Sequence, residues 1–369
     1  MKQSIAKEQI LQGLQAVQNV VGSRTTLPIL SNVLLSASEN HLELTATDLD
    51  VTVTCSVEAT VQRPGKTTIP VKKFFGICRE LGHLEVELET DERNVSTLSA
   101  GNSFYRINGL AAEDFPPLPQ FSEKKNVTLP QDKLRSMLRR TAFAISTDES
   151  RYVLNGIFHS LKEHKITLVA TDGRRLALVE EDVDVAAESE GEFIVPTKAI
   201  NELTRLLQPG GEVAIRYTDN QVAYLLKGEK SPTILVTSKL VEGNYPNYRQ
   251  VIPTEFKERV TLAREELLQA LRRAEIMTSD KSNSVKLSFT KNNLAITANT
   301  PEVGEARESL AINYKGTDVS IAFNPVYLMD PLKALDGDEV FLEVNDELSP
   351  GVVKTATPFL YVIMPMRMA

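Results

Sequence analysis

LTATD at residues 44–48, LVATD at 168–172 and ITANT at 296–300 are one strand ending written three times, with Ala46, Ala170 and Ala298 spaced 124 and 128 residues apart. A fixed period is read before any single element, because a repeated unit constrains the whole architecture. A second signal keeps the same register. TTIPVKKFFGI, EFIVPTKAINEL and SIAFNPVYLMDPL each run a β-rich stretch into a helix start, placing Pro70, Pro196 and Asn324 at intervals of 126 and 128. The third signal is an opening helix in each third of the chain: EQILQGLQAV with Ile10, Leu11, Leu14 and Val17, DKLRSMLRR with Leu134 and Leu138, and EELLQALRR with Leu267, Leu268 and Leu271. Apolar residues three and four apart line one helical face.

Between these helices lie alternating or β-branched runs, Leu42 to Val53, Lys165 to Leu178 and Ser284 to Ile296, separated by Asn, Asp and Gly. Such runs are strands joined by turns. Each copy therefore reads helix, strands, helix, strands, an α+β domain in which two amphipathic helices cover one face of an antiparallel sheet and the other face meets solvent. The Pro-rich and polar segments FPPLPQFSEKKN (115–126) and YPNYRQVIPTEF (245–256) interrupt the periodicity and divide the chain into domains at 1–125, 126–254 and 255–369.

The net charge of −8 hides a segregation by element. LEVELETDE (84–92), EEDVDVAAESEGE (180–192) and DGDEVFLEVNDE (336–347) hold 18 carboxylates and no Lys or Arg, so the rest of the chain stands at +10. Glu85, Glu87 and Glu89 alternate with Leu84, Val86 and Leu88, the two-residue period that puts carboxylates on one strand face. Basic clusters fall on helical patterns instead, as in KLRSMLRR (133–140) and VKKFFGICR (71–79). Taken singly, each cluster also fits a plain solvated face.

Chemistry-bearing motifs are sparse. His41, His83, His159 and His164 form no HExxH or HxH pattern, so neither a metal nor another cofactor is expected. GKT at 65–67 lacks the glycine that a phosphate loop requires at position 60 and reads as a hairpin tip. In TDGRR (171–175), Asp172 and Gly173 have the composition of a type I′ turn; the alternative is that Asp172 and Arg175 serve a nucleic-acid-processing active site. Two cysteines, Cys55 and Cys78, suit a reducing compartment. No run approaches the ~18 apolar residues of a membrane span, which gives the expectation of a cytoplasmic protein without a membrane partner.

The chain resembles the bacterial sliding clamp family, the β subunit of DNA polymerase III. The resemblance rests on TLPILSNVLL (26–35), LTATDLDV (44–51), IPVKKFFGICR (69–79), GLAAEDFPPLP (109–119), RYVLNGI (151–157), ATDGRRLAL (170–178), TSKLVEGNYPNYRQVIP (237–253), FNPVYLMDPLKAL (323–335) and YVIMPMR (361–367). It implies three repeated clamp domains per chain, with helices lining an inner face and antiparallel sheets outside. Two copies then close head to tail as a homodimeric six-domain ring around duplex DNA. It implies a non-catalytic processivity factor whose partners are double-stranded DNA, the replicative polymerase, the clamp loader, and repair and ligation proteins that dock through short apolar peptides.

By matching motifs, the resemblance assigns Arg24, Lys72, Tyr152 and Lys198 to DNA. It assigns Leu154, Thr171, Gly173, Arg175, Leu176, Pro246, Val362, Met364, Pro365, Met366 and Arg367 to a peptide-docking pocket. Tyr105 and Ile107 are assigned to one side of the dimer contact and Ile276 and Met277 to the other. Val153, Arg174 and Gln250 depart from residues common in relatives. A scaffold of three repeats that never meets DNA is the remaining non-enzymatic reading.

Overall fold

The structure is a computed structural model that describes residues 1–22, 27–119, 121, 125–228, 232–279, 283–301 and 304–367. Six α-helices are present among these residues, two in each third: α1 (Lys7–Val17), α2 (Val71–Glu80), α3 (Gln131–Thr141), α4 (Thr197–Leu206), α5 (Arg264–Glu275) and α6 (Pro325–Ala334). Each begins where a strand ends, as the repeat predicts. At α6 the start is capped: the Asn324 side chain accepts the Val326 N–H at 2.9 Å, and Pro325 fills the first turn, where no amide donor is missed. Helix α1 buries Ile10, Gly13, Leu14, Ala16 and Val17. Gly13 is small for a reason, since a Cβ there would stand 2.7 Å from Leu44.

All strand pairs are antiparallel, and the strands form four sheets. The chain packs as two compact units, one of Met1–Arg135, Asp184–Glu190 and Lys198–Leu240, the other of Ser136–Val183, Gly191–Thr197 and Val241–Ala369. Unit 1 holds a five-stranded sheet ordered Thr60–Arg63, Lys2–Ala6, Glu85–Thr90, Val95–Ala100, Ser103–Asn108. It also holds an eight-stranded sheet in which Asn126–Pro130, Glu212–Tyr217, Gln221–Lys227 and Thr233–Lys239 continue into Val51–Glu58, His41–Thr47, Asn32–Ser38 and Gly65–Pro70. Unit 2 repeats this construction. Gly191–Pro196, Gly156–Lys162, Lys165–Thr171 and Arg175–Asp182 continue into Leu360–Ile363, Gly351–Lys354, Glu339–Val344 and Glu258–Ala263. Its four-stranded sheet runs Gly304–Ala311, Asn293–Thr300, Val285–Thr290, Val319–Phe323.

Both eight-stranded sheets are built from strands of two successive thirds, joined edge to edge by a hydrogen-bonded ladder. Compact packing therefore divides the middle third between the units while the α+β repeat persists in every third. The ladders also remove exposed strand edges, which are costly to leave unpaired in a soluble sheet. Sheet faces follow the two-residue period: Glu85, Glu87 and Glu89 are exposed while Val86 and Leu88 are about 1% exposed. One expectation fails here. GKT is no hairpin tip, because Gly65, Lys66 and Thr67 lie in the strand Gly65–Pro70 and pair with Ala37, Ser36 and Leu35. Pro64 instead turns the chain from one sheet to the next, since Thr60–Arg63 pairs with Lys2–Ala6.

Candidate functional site

Helical cations divide into those already engaged and those left open. Arg139 pairs with Asp336, buried Arg140 with Glu181, Arg79 with Glu80, and Arg273 with Glu308 at 2.6 Å. Among the described residues, Lys72 and Lys73 on α2, Arg135 on α3 and Arg272 on α5 have no ion-pair partner. Sequence reasoning selected Lys72 from this set and passed over Lys73, Arg135 and Arg272, although their helical positions were readable. Lys198, in the first turn of α4, is half exposed and pairs with the carboxylate of Asp48. Tyr152, 59% exposed, lies on the 3-10 turn Glu149–Leu154. Arg24 lies outside the described residues.

In unit 2 the turn 171–175 is fixed by its own side chains. Thr171 Oγ1 donates to the Arg175 carbonyl at 2.6 Å, and Asp172 Oδ1 accepts the Arg174 and Arg175 amides at 2.9 and 3.0 Å. This is an Asx-type turn, not the type I′ turn that Asp-Gly suggests. Positive φ occurs at Gly173 (+84°) but not at Asp172, whereas type I′ needs it at both central residues. A Cβ at Gly173 would also stand 2.6 Å from the Arg151 guanidinium.

Arg175 is turned inward. Its Nε donates to Asp172 at 3.0 Å, Nη1 to Asp330 at 2.6 Å and Nη2 to the Phe143 carbonyl at 2.6 Å, with the guanidinium 4.3 Å from the Tyr327 ring centre. Burial opposes its charge, but the Asp330 hydrogen bond and the nearby Tyr361 and Asp172 outweigh this and hold its pKa above the ordinary arginine value. Each of its three nitrogens donates to a group within the chain, so it shapes the turn.

Beside the turn, Leu176 and Val362 join Phe158, Val169, Ile194 and Val352 in a buried apolar floor. Half-buried Val153, Val241, Tyr245, Tyr248, Ile252 and Leu360 pack around it, and the Phe158 and Tyr245 rings stack at 5.0 Å. Leu154 is buried on its 3-10 turn outside this cluster, and Pro246 is exposed next to Tyr245. The strand Leu360–Ile363 is held by Leu176↔Val362 pairing, and the chain beyond it by Met364 N–H to the Arg174 carbonyl at 2.9 Å and Met366 N–H to the Ala322 carbonyl at 2.7 Å. Met364 (43%) and Met366 (36%) remain exposed, with Pro365 between them and Arg367 beyond. A buried floor, an aromatic rim and exposed thioethers form a surface suited to short apolar segments of varied shape. Tyr245 and Tyr248 escaped sequence reasoning; their signal was the aromatic spacing in YPNYRQ, which reads equally as linker.

Two of the sheet ends lie at positions that the repeat relates to the strands of the two junctions. Ser103–Asn108 ends the five-stranded sheet, with Phe104 64% and Tyr105 38% exposed while Ile107 is buried. Gly304–Ala311 ends the four-stranded sheet, and near it Ile276 is 74% exposed and Met277 half-buried at the end of α5. Among the described residues, no group of three or more His, Cys, Asp or Glu side chains is placed to hold a metal ion. No helix there is long and apolar enough to cross a membrane.

Comparison with known proteins covers the whole chain. Residues 1–119, 128–247 and 249–367 match, in order, the N-terminal, central and C-terminal domain families of the DNA polymerase III beta subunit. The beta sliding clamp of Chlamydia muridarum is 37% identical over 368 residues, covering 100% of this chain and 99% of that one. That of Escherichia coli K12 is 36% identical over 378 residues, with both chains covered completely. Among solved structures, the DNA polymerase sliding clamp from Bacillus subtilis superposes with a TM-score of 0.94 at 30% identity over 100% of both chains. The Pseudomonas aeruginosa clamp bound to griselimycin gives 0.94 at 34% identity, again over 100% of both.

Proposed function

The chain belongs to the DNA polymerase III β subunit family, and from that premise we propose a homodimeric ring that encircles duplex DNA. It is a sliding clamp, an accessory factor that confers processivity on a DNA polymerase. Three clamp domains at 1–125, 126–254 and 255–369 are each supported by one pair of helices.

One observation carries the ring. Within the chain, each domain joins the next by a strand ladder: Val51–Glu58 of the first to Thr233–Lys239 of the second, and Arg175–Asp182 of the second to Leu360–Ile363 of the third. By the same repeat, the strand of the third domain that corresponds to these junction strands is Gly304–Ala311 and that of the first is Ser103–Asn108, and each ends its sheet with one side unpaired among the described residues. Edges of one chain joined to those of another form a head-to-tail contact from two different surfaces, which generates a closed ring when the rotation closes. Tyr105 and Ile107 support it from one side and Ile276 and Met277 from the other; buried Ile107 acts by shaping the edge, and exposed Ile276 by direct contact.

Lys72, Tyr152, Lys198 and Arg24 face the duplex. Attraction to backbone phosphate carries no sequence information, so it holds DNA while allowing translation along it. The unit 2 patch around Leu176, Val362 and Met364, with the other residues assigned to it, takes short apolar peptides from the polymerase, the clamp loader, and repair and ligation proteins in turn. Arg175 serves it indirectly, by fixing the turn. The chain performs no catalysis and acts in the cytoplasm.

Sedimentation combined with retention on nicked circular DNA tests the reading. A dimer that stays on circles and leaves after linearisation is expected, with Ile276→Asp reducing the mass to that of one chain. Equal retention on both DNA forms, or an unchanged mass for Ile276→Asp, overturns it.

A further inference from the structure

In unit 1, Lys198 opens α4, at the end of a helix where the dipole disfavours a positive charge. Its ammonium is paired with Asp48, whose carboxylate is aimed by its own turn: Oδ1 accepts the Asp50 and Val51 amides at 3.1 and 2.8 Å, leaving Oδ2 for the lysine. Asp48 is 19% exposed and Lys198 48%. Corresponding positions in the other repeats do not reproduce this pair. Asp172, the counterpart of Asp48, gives its Oδ2 to Arg175 of its own turn at 3.0 Å. Val326 stands in α6 where α4 has Lys198, and Lys72, the counterpart in α2, has no ion-pair partner among the described residues. A carboxylate is thus directed at one helix-start cation of the repeat while its sister stays open.

We infer that Asp48 is an internal counter-charge that occupies Lys198 in place of a DNA phosphate, removing about one phosphate contact from the clamp's hold on the duplex and keeping that hold weak. The inference rests on the reading of Lys198 as DNA-facing. Each neutralised phosphate steepens the fall of log affinity with log salt by about 0.9, so one masked lysine is visible as a change in that slope. Asp48→Asn suits the test because an amide oxygen still accepts the Asp50 and Val51 N–H groups while the charge is lost.

The full-length protein is titrated against a labelled short duplex by fluorescence anisotropy over a salt series, with thermal melts run alongside. Asp48→Asn is expected to bind severalfold tighter at about 100 mM salt and to steepen the slope by about 0.9, and Lys198→Ala added to it is expected to abolish the gain. In the native background Lys198→Ala is expected to change the slope little, whereas Lys72→Ala lowers it by about 0.9; this comparison decides the matter even if Asp48→Asn does not fold. Equal slopes for Asp48→Asn and the native protein, a gain that survives Lys198→Ala, or equal losses for Lys72→Ala and Lys198→Ala in the native background each overturn the counter-charge while leaving the DNA-facing reading intact. If neither lysine affects binding in any background, the DNA-facing reading falls and takes the inference with it.

Discussion

The two junctions within the chain share a backbone and differ in what their side chains do with it. In unit 1 the ladder between Thr233–Lys239 and Val51–Glu58 follows a turn in which Asp48 reaches to Lys198, Leu49 points outward, and Val51 is fully buried. In unit 2 the ladder between Arg175–Asp182 and Leu360–Ile363 follows a turn with Gly173 where the first has Leu49 and Arg175 where it has Val51. Arg175 captures with its guanidinium the carboxylate oxygen that in Asp48 is left for Lys198. A few substitutions on one scaffold thus give an electrostatic contact at one junction and an internally braced turn beside an apolar floor at the other.

The sharpest way to separate the junctions is to remove the cation at each. Arg175 is 10% exposed between Asp172 and Asp330, which are 15% and 20% exposed. Arg175→Ala takes from Asp330 the closer of its two cations, leaving Lys333 at 3.6 Å, and takes from Asp172 and the Phe143 carbonyl a donor each; breaking a buried pair from one side costs up to about 3–5 kcal/mol. Lys198→Ala removes a half-exposed partner, for which the cost is about 1 kcal/mol or less. Chemical denaturation of the two variants should show that ordering. Equal losses would mean that Arg175 is not the organiser of its turn.

A smaller effect separates the sheets by pH. His159 is fully buried, its ring stacks on Phe193 at 5.2 Å, and burial holds its pKa down at about 4. Strand pairing aligns Gly156↔Pro196 with Asn32↔Pro70, so the unit 1 counterpart of His159 is Leu35, which cannot titrate. Below its unfolded value near 6.5 the histidine binds a proton in the unfolded chain but not in the folded one, so its contribution is present above that value. It is lost as the pH falls toward 4, up to about 2–3 kcal/mol. His159→Leu should flatten the stability profile between those pH values. An unchanged profile would place the acid sensitivity elsewhere.

The strand endings, the helix starts and the acidic face of Glu85–Thr90 were legible in the sequence because each is set locally, by residues within a turn or two of one another; the stretch 336–347 was not, since Glu343 is buried against Lys354. The junctions were not. Asp48 and Lys198 are 150 residues apart, and nothing at either position names the other. Tyr245 and Tyr248 read as linker and become part of the rim only because the chain folds back across Phe158. The type I′ assignment failed for a related reason: Asp-Gly is compatible with several turns, and the choice was made by Thr171 and the amides that Asp172 accepts. GKT was misplaced because whether a Gly-Lys segment is a tip or a strand start depends on which sheet receives it.

The finest difference between the junctions is Leu49 against Gly173. Both have left-handed backbone, at φ +79° and +84°, where a side chain costs about 1–2 kcal/mol and glycine does not. Leu49 recovers little of that by burial, since it is 45% exposed. Leu49→Gly removes the strain but adds flexibility to the unfolded chain and gives up some apolar contact, so the expected outcome is a net gain of no more than about 1 kcal/mol. The reverse change, Gly173→Ala, meets the left-handed backbone strain, while the half-exposed Arg151 guanidinium can move aside, and should lose about 1–2 kcal/mol. If thermal denaturation shows Leu49→Gly destabilising, Leu49 holds its turn through contacts that outweigh its backbone strain, and the two turns are alike in conformation but not in what stabilises them.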